Sequence, residues 1–116
     1  PCYSWDKMDK KQKHKVTNTI NGTRVAQVNV HHAKGASSVV SRMFAHDALG
    51  MVLIQEPWIN RGAVLGLASK DGKVIWDTRV DKPRACILIR SNIKYVCISE
   101  YLTRDLVPVR VRVDTG

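Results

Sequence analysis

Val25-Ala26-Gln27-Val28-Asn29-Val30, then a helical pattern from Ala33 to Leu49, then Met51-Val52-Leu53-Ile54-Gln55-Glu56-Pro57-Trp58: the reading of this stretch decides the fold. Each flanking segment is a short apolar run that ends at polar residues, the signature of a buried strand meeting a rim. Between them Ala36, Val39, Val40, Met43 and Phe44 recur at the three-and-four spacing of one buried helix face, while Ser41, Arg42 and His46 fall elsewhere. Gly50 is expected to supply the left-handed stop after the helix. A strand, helix and strand of this length normally make two parallel neighbours through a right-handed crossover. Parallel neighbours end on the same edge of a sheet. Asn29 and Glu56 are therefore expected side by side at the carboxyl edge, where open α/β sheets tend to place their ligands.

Downstream, turn chemistry predicts a strand meander. Lys70-Asp71-Gly72-Lys73 reads as a hairpin joining a segment at 64–68 to a short strand at Val74-Ile75-Trp76. A polar loop from Asp77 to Pro83 leads to a strand from Arg84 to Arg90, and Ser91-Asn92 turns the chain again. Segments at 94–99 and 105–113 complete the pattern, the last alternating Val107, Val109, Val111 and Val113 against Pro108, Arg110 and Arg112. Pro108 offers no backbone donor, which argues for an edge position.

The chain of 116 residues carries a formal charge of +9 and an isoelectric point near 9.8, which points to a polyanionic partner because each phosphate neutralised by Lys or Arg releases condensed counterions. Lys7, Lys10, Lys11, Lys13 and Lys15 crowd the first residues, where few apolar groups could order them. Residues 1–23 are read as a basic flexible tail, either a solubilising segment or a nonspecific DNA-contacting arm. Cys2, Cys86 and Cys97 have no metal-ligand spacing, and Cys86 and Cys97 are read as reduced core residues of an intracellular chain. No apolar run approaches the roughly 20 residues needed to span a bilayer, so no membrane partner is expected.

Three blocks together carry a resemblance: Gln27-Val28-Asn29-Val30-His31-His32-Ala33-Lys34-Gly35-Ala36-Ser37, then Leu53-Ile54-Gln55-Glu56-Pro57-Trp58, then Val80-Asp81-Lys82-Pro83-Arg84-Ala85-Cys86-Ile87-Leu88-Ile89-Arg90. From about Arg24 onward the chain resembles the amino-terminal part of the endonuclease domain of insect non-LTR retrotransposons, within the endonuclease/exonuclease/phosphatase superfamily. The resemblance implies an α/β fold, a partial four-layer α/β sandwich with a mixed sheet, in which residues 24–116 form the amino-terminal part of a domain truncated at its carboxyl end. It implies that Asn29 is the first-strand asparagine that helps hold the catalytic metal and orient the phosphate, and that Glu56 is the glutamate that binds the divalent ion. The ion would be magnesium or manganese, the substrate target DNA, and the product a nick whose 3′ hydroxyl starts reverse transcription. A reverse transcriptase in the same polypeptide and a nuclear location follow from the same resemblance. Tyr101 precedes the segment at 105–107, whereas the family's tyrosine is expected after it, so Tyr101 takes no role.

Beside these expectations stand plainer ones. A glutamate at a strand end is often the first solvated residue of a loop, and only its pairing with Asn29 makes oxygen-only ligands for a hard ion. His31-His32 is read as a polar loop, because adjacent residues on an extended segment point to opposite sides and cannot easily chelate one ion. His31, His32, Lys34 and Trp58 are nevertheless candidates for nucleic-acid contact, with Trp58 read more readily as a cap on the core. Related phosphodiesterases act on abasic DNA, RNA or phosphoinositides, and fold cannot choose among them. A non-catalytic reading also stands: a basic nucleic-acid-binding fragment of a decayed retroelement.

Overall fold

The strand, helix, strand unit is present as read. In the computed structural model, which describes residues 2–4, 14–20, 23–46, 49–67 and 70–112, the strands are β1 (Cys2–Ser4), β2 (His14–Ile20) and β3 (Thr23–Asn29), followed by helix α1 (Lys34–His46) and β4 (Met51–Gln55). Next come β5 (Ile59–Asn60), β6 (Ala63–Val64), β7 (Gly72–Ile75), β8 (Ala85–Arg90), β9 (Tyr95–Cys97), a single 3-10 turn at Ser99–Tyr101, and β10 (Val109–Val111). Six strands form one mixed sheet in the order β1-β2-β3-β4-β8-β7. Its parallel pair is β3 with β4, in a register that sets Asn29 opposite Gln55.

The two-residue period of the strands fills both faces of this sheet. Ala26, Val28, Val52, Ile54, Cys86 and Leu88 face α1, where Val40 and Phe44 complete the core with no exposure. Val25, Met51, Ile87 and Ile89 face the other way, against Tyr95, Val109 and Val111 of the β9–β10 ribbon and Val107 just before it. Helix, main sheet and small second sheet are thus three successive layers of a mixed α/β sandwich. Burial from both sides explains why β4 and β8 read as unbroken apolar runs. Cys86 lies in this core, where burial pushes its thiol up to about 12, and it and Cys97 are free thiols.

Several local expectations are corrected. The segment at 14–20, placed in the flexible tail, is strand β2, paired antiparallel with β3 from Val16↔Gln27 to Ile20↔Thr23, and β1 extends the sheet beyond it. The free edge of β3 needs backbone partners, and Val16, Thr17, Thr19 and Ile20 are good strand formers. Lys7, Lys10, Lys11 and Lys13 lie outside the described residues, so the remainder of the tail reading stays with the sequence.

Gly50 is not a left-handed stop. Its amide donates to the Arg24 carbonyl at 2.8 Å, and a Cβ there would stand 2.9 Å from Ile93 Cδ1, so what this position requires is the absence of a side chain. The hairpin expected at Asp71-Gly72 does not join 64–68 to β7. Instead β6 pairs with β5 and β7 with β8. The strand expected over 105–113 is confined to Val109–Val111, with Pro108 just before it accepting the Ile98 amide through its carbonyl. Among the described residues β10 has one neighbour, β9, so it is an edge strand as the proline suggested. Val113 lies outside the described residues.

Candidate functional site

At the carboxyl ends of β3 and β4 the chain makes three left-handed corners in residues other than glycine: His31 (φ 50°), His32 (φ 58°) and Glu56 (φ 51°). Each costs about 1–2 kcal/mol in backbone strain. Surrounding hydrogen bonds hold them: the Val30 amide on the Gln55 carbonyl at 3.0 Å, the His32 amide on the Glu56 carbonyl at 2.7 Å, and the Glu56 amide on the Arg84 carbonyl at 2.9 Å. The strand ends are thereby clamped to one another and to the entrance of β8.

These corners bring together the side chains the sequence singled out. Asn29 Nδ2 donates to Glu56 Oε2 at 2.6 Å, while Asn29 Oδ1 accepts the His31 backbone amide at 2.8 Å. The two bonds fix the amide's orientation, nitrogen to carboxylate and oxygen to backbone. The Asn29 amide holds the Glu56 carboxyl below its ordinary range; partial burial opposes this, and the neighbouring His31, His32 and Arg84 add to the lowering. Glu56 is an anion at neutral pH.

The histidine pair departs from expectation. The chain is bent, not extended, at 31–32, and both rings lie beside Glu56: His31 Nδ1 is 4.0 Å from Oε2 and His32 Nε2 is 3.6 Å from Oε1. His32 Nδ1 donates to the Pro57 carbonyl at 3.0 Å, since a carbonyl can only accept. His31 Nε2 is buried with no hydrogen-bond partner. Lys34 and Trp58 form a separate pair, the ammonium 5.5 Å from the ring centroid. A Cβ added to Gly66 would stand 3.0 Å from Trp58 Cε3, so Trp58 is packed on the protein, in keeping with the cap reading.

Arg84 and Asp105 were not identified from sequence as site residues. The antiparallel register that sets Gln55 opposite Ala85 carries Arg84 to Glu56, and the Arg84 guanidinium is ion-paired with Asp105. This pairing draws the Asp105 carboxyl below its ordinary range. A cleft of about 520 Å³ is lined by His32, Gln55, Glu56, Arg84, Ala85 and Asp105. Arg84 stood inside the third block of the resemblance, so the block's alignment with β4 was the available signal; Asp105 had none.

Among the described residues no group of three or more His, Cys, Asp or Glu side chains could by itself hold a metal ion. The oxygen donors nevertheless suit a hard dication that keeps most of its waters and takes one or two carboxylates with substrate phosphate. Among the described residues the nearest polar approach to Glu56 Oε1 is His32 Nε2 at 3.6 Å, and Asn29 Oδ1 keeps a lone pair beyond the one given to His31. Among the described residues no helix is long and apolar enough to cross a membrane.

Compared with solved structures, the chain is similar to the endonuclease domain of TRAS1, a telomere-specific non-LTR retrotransposon, with a TM-score of 0.65 and 23% identity. The match covers 81% of this chain and 40% of that one, so the chain spans about two fifths of that structure's length. The likeness shows the fold: this chain has the mixed α/β architecture of that endonuclease domain, as the resemblance of its three sequence blocks implied. By sequence, the chain matches no family model and no curated protein.

Proposed function

We propose that this chain carries the metal-holding edge of a phosphodiesterase that nicks DNA. The observation that carries the reading is the 2.6 Å hydrogen bond between Asn29 Nδ2 and Glu56 Oε2 across two parallel strand ends, which sets an ionised carboxylate in a cleft beside an arginine. Glu56 and Asn29 would hold magnesium or manganese. When bound, the ion supplies charge neutralisation at the scissile phosphate and at the leaving oxygen. Asn29 orients the carboxylate and keeps it unprotonated. Arg84, exposed in the same cleft, can exchange Asp105 for a substrate phosphate, which suits its planar fork of donors. The fold likeness to a retrotransposon endonuclease domain favours a nucleic-acid substrate; DNA as that substrate, a nick with a 3′ hydroxyl as the product, a reverse transcriptase as the partner and the nucleus as the setting belong to the proposal through the sequence resemblance alone.

Two readouts test this. Manganese binding by the chain, followed by electron paramagnetic resonance, is lost in Glu56→Gln. Conversion of supercoiled plasmid to nicked circle in magnesium falls by about two to three orders of magnitude in the same variant, as for loss of a key electrostatic stabiliser. Manganese binding unchanged by the substitution, or nicking within threefold of the parent protein, refutes the assignment. The charge of +9 and the lack, among the described residues, of a self-sufficient metal cluster favour a second reading, a basic nucleic-acid-binding protein without cleavage. Salt-sensitive DNA binding with no metal-dependent nicking is its mark.

A further inference from the structure

A second cleft, of about 580 Å³, opens between the β5–β6 hairpin and the loop that precedes β8, with His32, Asn60, Arg61, Gly62, Asp81 and Lys82 along its walls. Its two walls approach closely: a Cβ built on Gly62 would lie 4.0 Å from the Asp81 carbonyl. His32 lines this cleft and the Glu56 cleft alike. With His32 Nε2 only 3.6 Å from Glu56 Oε1, the two spaces abut across one imidazole.

Three other arginines have partners of their own. Arg79 is paired with Asp77, with Nε 2.7 Å from Oδ1; Arg84, in the Glu56 cleft, is paired with Asp105; Arg90 donates to the Leu49 and Phe44 carbonyls. Arg61 and Lys82, both exposed, have no carboxylate partner within ion-pair distance among the described residues. Arg61 is also held in the left-handed region (φ 54°), followed by Gly62 (φ 79°). With Ile59 opposite Val64 and Asn60 opposite Ala63, this is a two-residue hairpin turn of the kind that prefers Asn or Gly at its first position. An arginine there projects a cation from a stiff, strained tip. One carboxylate, Asp81, shares the lining, so the cleft has a net charge of +1 from Arg61, Lys82 and Asp81.

We infer that this cleft is a docking site for the DNA backbone next to the phosphate held at Glu56, with Arg61 and Lys82 gripping flanking phosphates and His32 marking the boundary between the two positions. The inference rests on the nuclease reading above and extends it, since it assigns the direction in which the strand leaves the metal edge. It concerns binding, so it is tested apart from the chemistry.

The test is fluorescence anisotropy of a labelled DNA duplex titrated with the full chain at a series of salt concentrations. Arg61→Ala/Lys82→Ala is expected to weaken binding about tenfold and to lower the slope of log affinity against log salt by about 2, roughly 0.9 for each phosphate no longer neutralised. Asp81→Asn, which raises the cleft to about +2, is expected to tighten binding, a change of sign that damage to the fold cannot produce. Arg110→Ala/Arg112→Ala, with the same loss of charge on the β9–β10 ribbon, is expected to leave the slope closer to the parent value. An equal drop in that control, or an unchanged slope in Arg61→Ala/Lys82→Ala while the parent protein binds and Glu56→Gln loses manganese, overturns this inference and leaves the nuclease reading standing. A parent chain that binds no duplex overturns both.

Discussion

Replacing Asn29 by aspartate reverses the chemistry of the site while keeping its shape. The Nδ2 donor, 2.6 Å from Glu56 Oε2, becomes an oxygen, and a charge-assisted hydrogen bond becomes an encounter between two carboxylates. Hydrogen bonds to charged groups contribute about 1.5–3 kcal/mol, and because the Glu56 side chain is 38% exposed the lower value applies. Two unit charges about 4 Å apart repel by about 1 kcal/mol in water and about 4 kcal/mol at the effective dielectric of a protein surface, so about 2 kcal/mol is reasonable for this half-open position. The sum is a loss of about 3–4 kcal/mol at neutral pH, a large share of the stability of a small domain.

The sign of the pH dependence is the sharper signature. In the parent protein Glu56 has its pKa lowered from 4.5. Its contribution is therefore present above about 4.5 and disappears as pH falls through the folded-state value. In Asn29→Asp the folded pair holds a shared proton above the ordinary carboxylate range, so the folded state binds more protons than the unfolded one and stability falls as pH rises from about 4.5. The limiting slope is about 1.4 kcal/mol per pH unit for one proton. Urea unfolding in EDTA, between about pH 4 and about pH 7, measures both quantities. A variant as stable as the parent at neutral pH, with a slope of the same sign, would show that Asn29 and Glu56 do not touch in solution and would remove the basis of the proposed metal edge.

Two further substitutions probe what supports the site. Gly66→Ala places a Cβ at φ +82°, 2.9 Å from Ser37 Cβ and 3.0 Å from Trp58 Cε3; backbone strain of about 1 kcal/mol and overpacking of about 1–3 kcal/mol predict a loss of about 2–4 kcal/mol, read as a fall of about 1–2 M in the urea midpoint. Arg90→Met removes donors to the Leu49 carbonyl at 2.8 Å and the Phe44 carbonyl at 2.5 Å and a guanidinium 4.2 Å from the Phe44 ring centroid. A loss of about 2–4 kcal/mol follows, and a thermal midpoint lowered by less than about 5 °C would contradict it.

The part of the site legible in the sequence was the part set by local periodicity. Helical spacing from Ala36 to Phe44 and the two apolar runs on either side predict a parallel pair, and a parallel pair puts Asn29 and Glu56 on one edge whatever the rest of the chain does. Strand β2 has a signal in the sequence, Asn21-Gly22 between Ile20 and Thr23, a dipeptide that favours two-residue hairpins, yet the lysines upstream suggest a tail. The turn at Arg61-Gly62 went unread because arginine seldom occupies a left-handed position, while Asp71-Gly72, the stronger signal, lies where β7 begins its pairing with β8. His31 and His32 could not be aimed from sequence, since their left-handed corners depend on hydrogen bonds to Gln55 and Glu56. Asp105 reaches the cleft because the Arg104 carbonyl accepts the Arg84 amide and the Thr103 hydroxyl, within the same turn, accepts the Asp105 amide, interactions with no sequence period at all.

Three separate segments meet at Glu56: β3 through Asn29, β4 through its own end, and the approach to β8 through the Arg84 carbonyl that receives the Glu56 amide at 2.9 Å. The first two are neighbours in the chain around α1 and can assemble from local interactions. The third requires the chain between Glu56 and Arg84 to close on itself, at an entropic cost that grows with loop length. A ligand that engages both, with a cationic part at Glu56 and an anionic part at Arg84, would therefore act as a thermodynamic staple, favouring the closed chain by about 2.7 kcal/mol at a hundredfold excess over its dissociation constant. Occupancy of the cleft and completion of the sheet form one coupled equilibrium, and the exchange rate of the Glu56 amide hydrogen is its natural gauge.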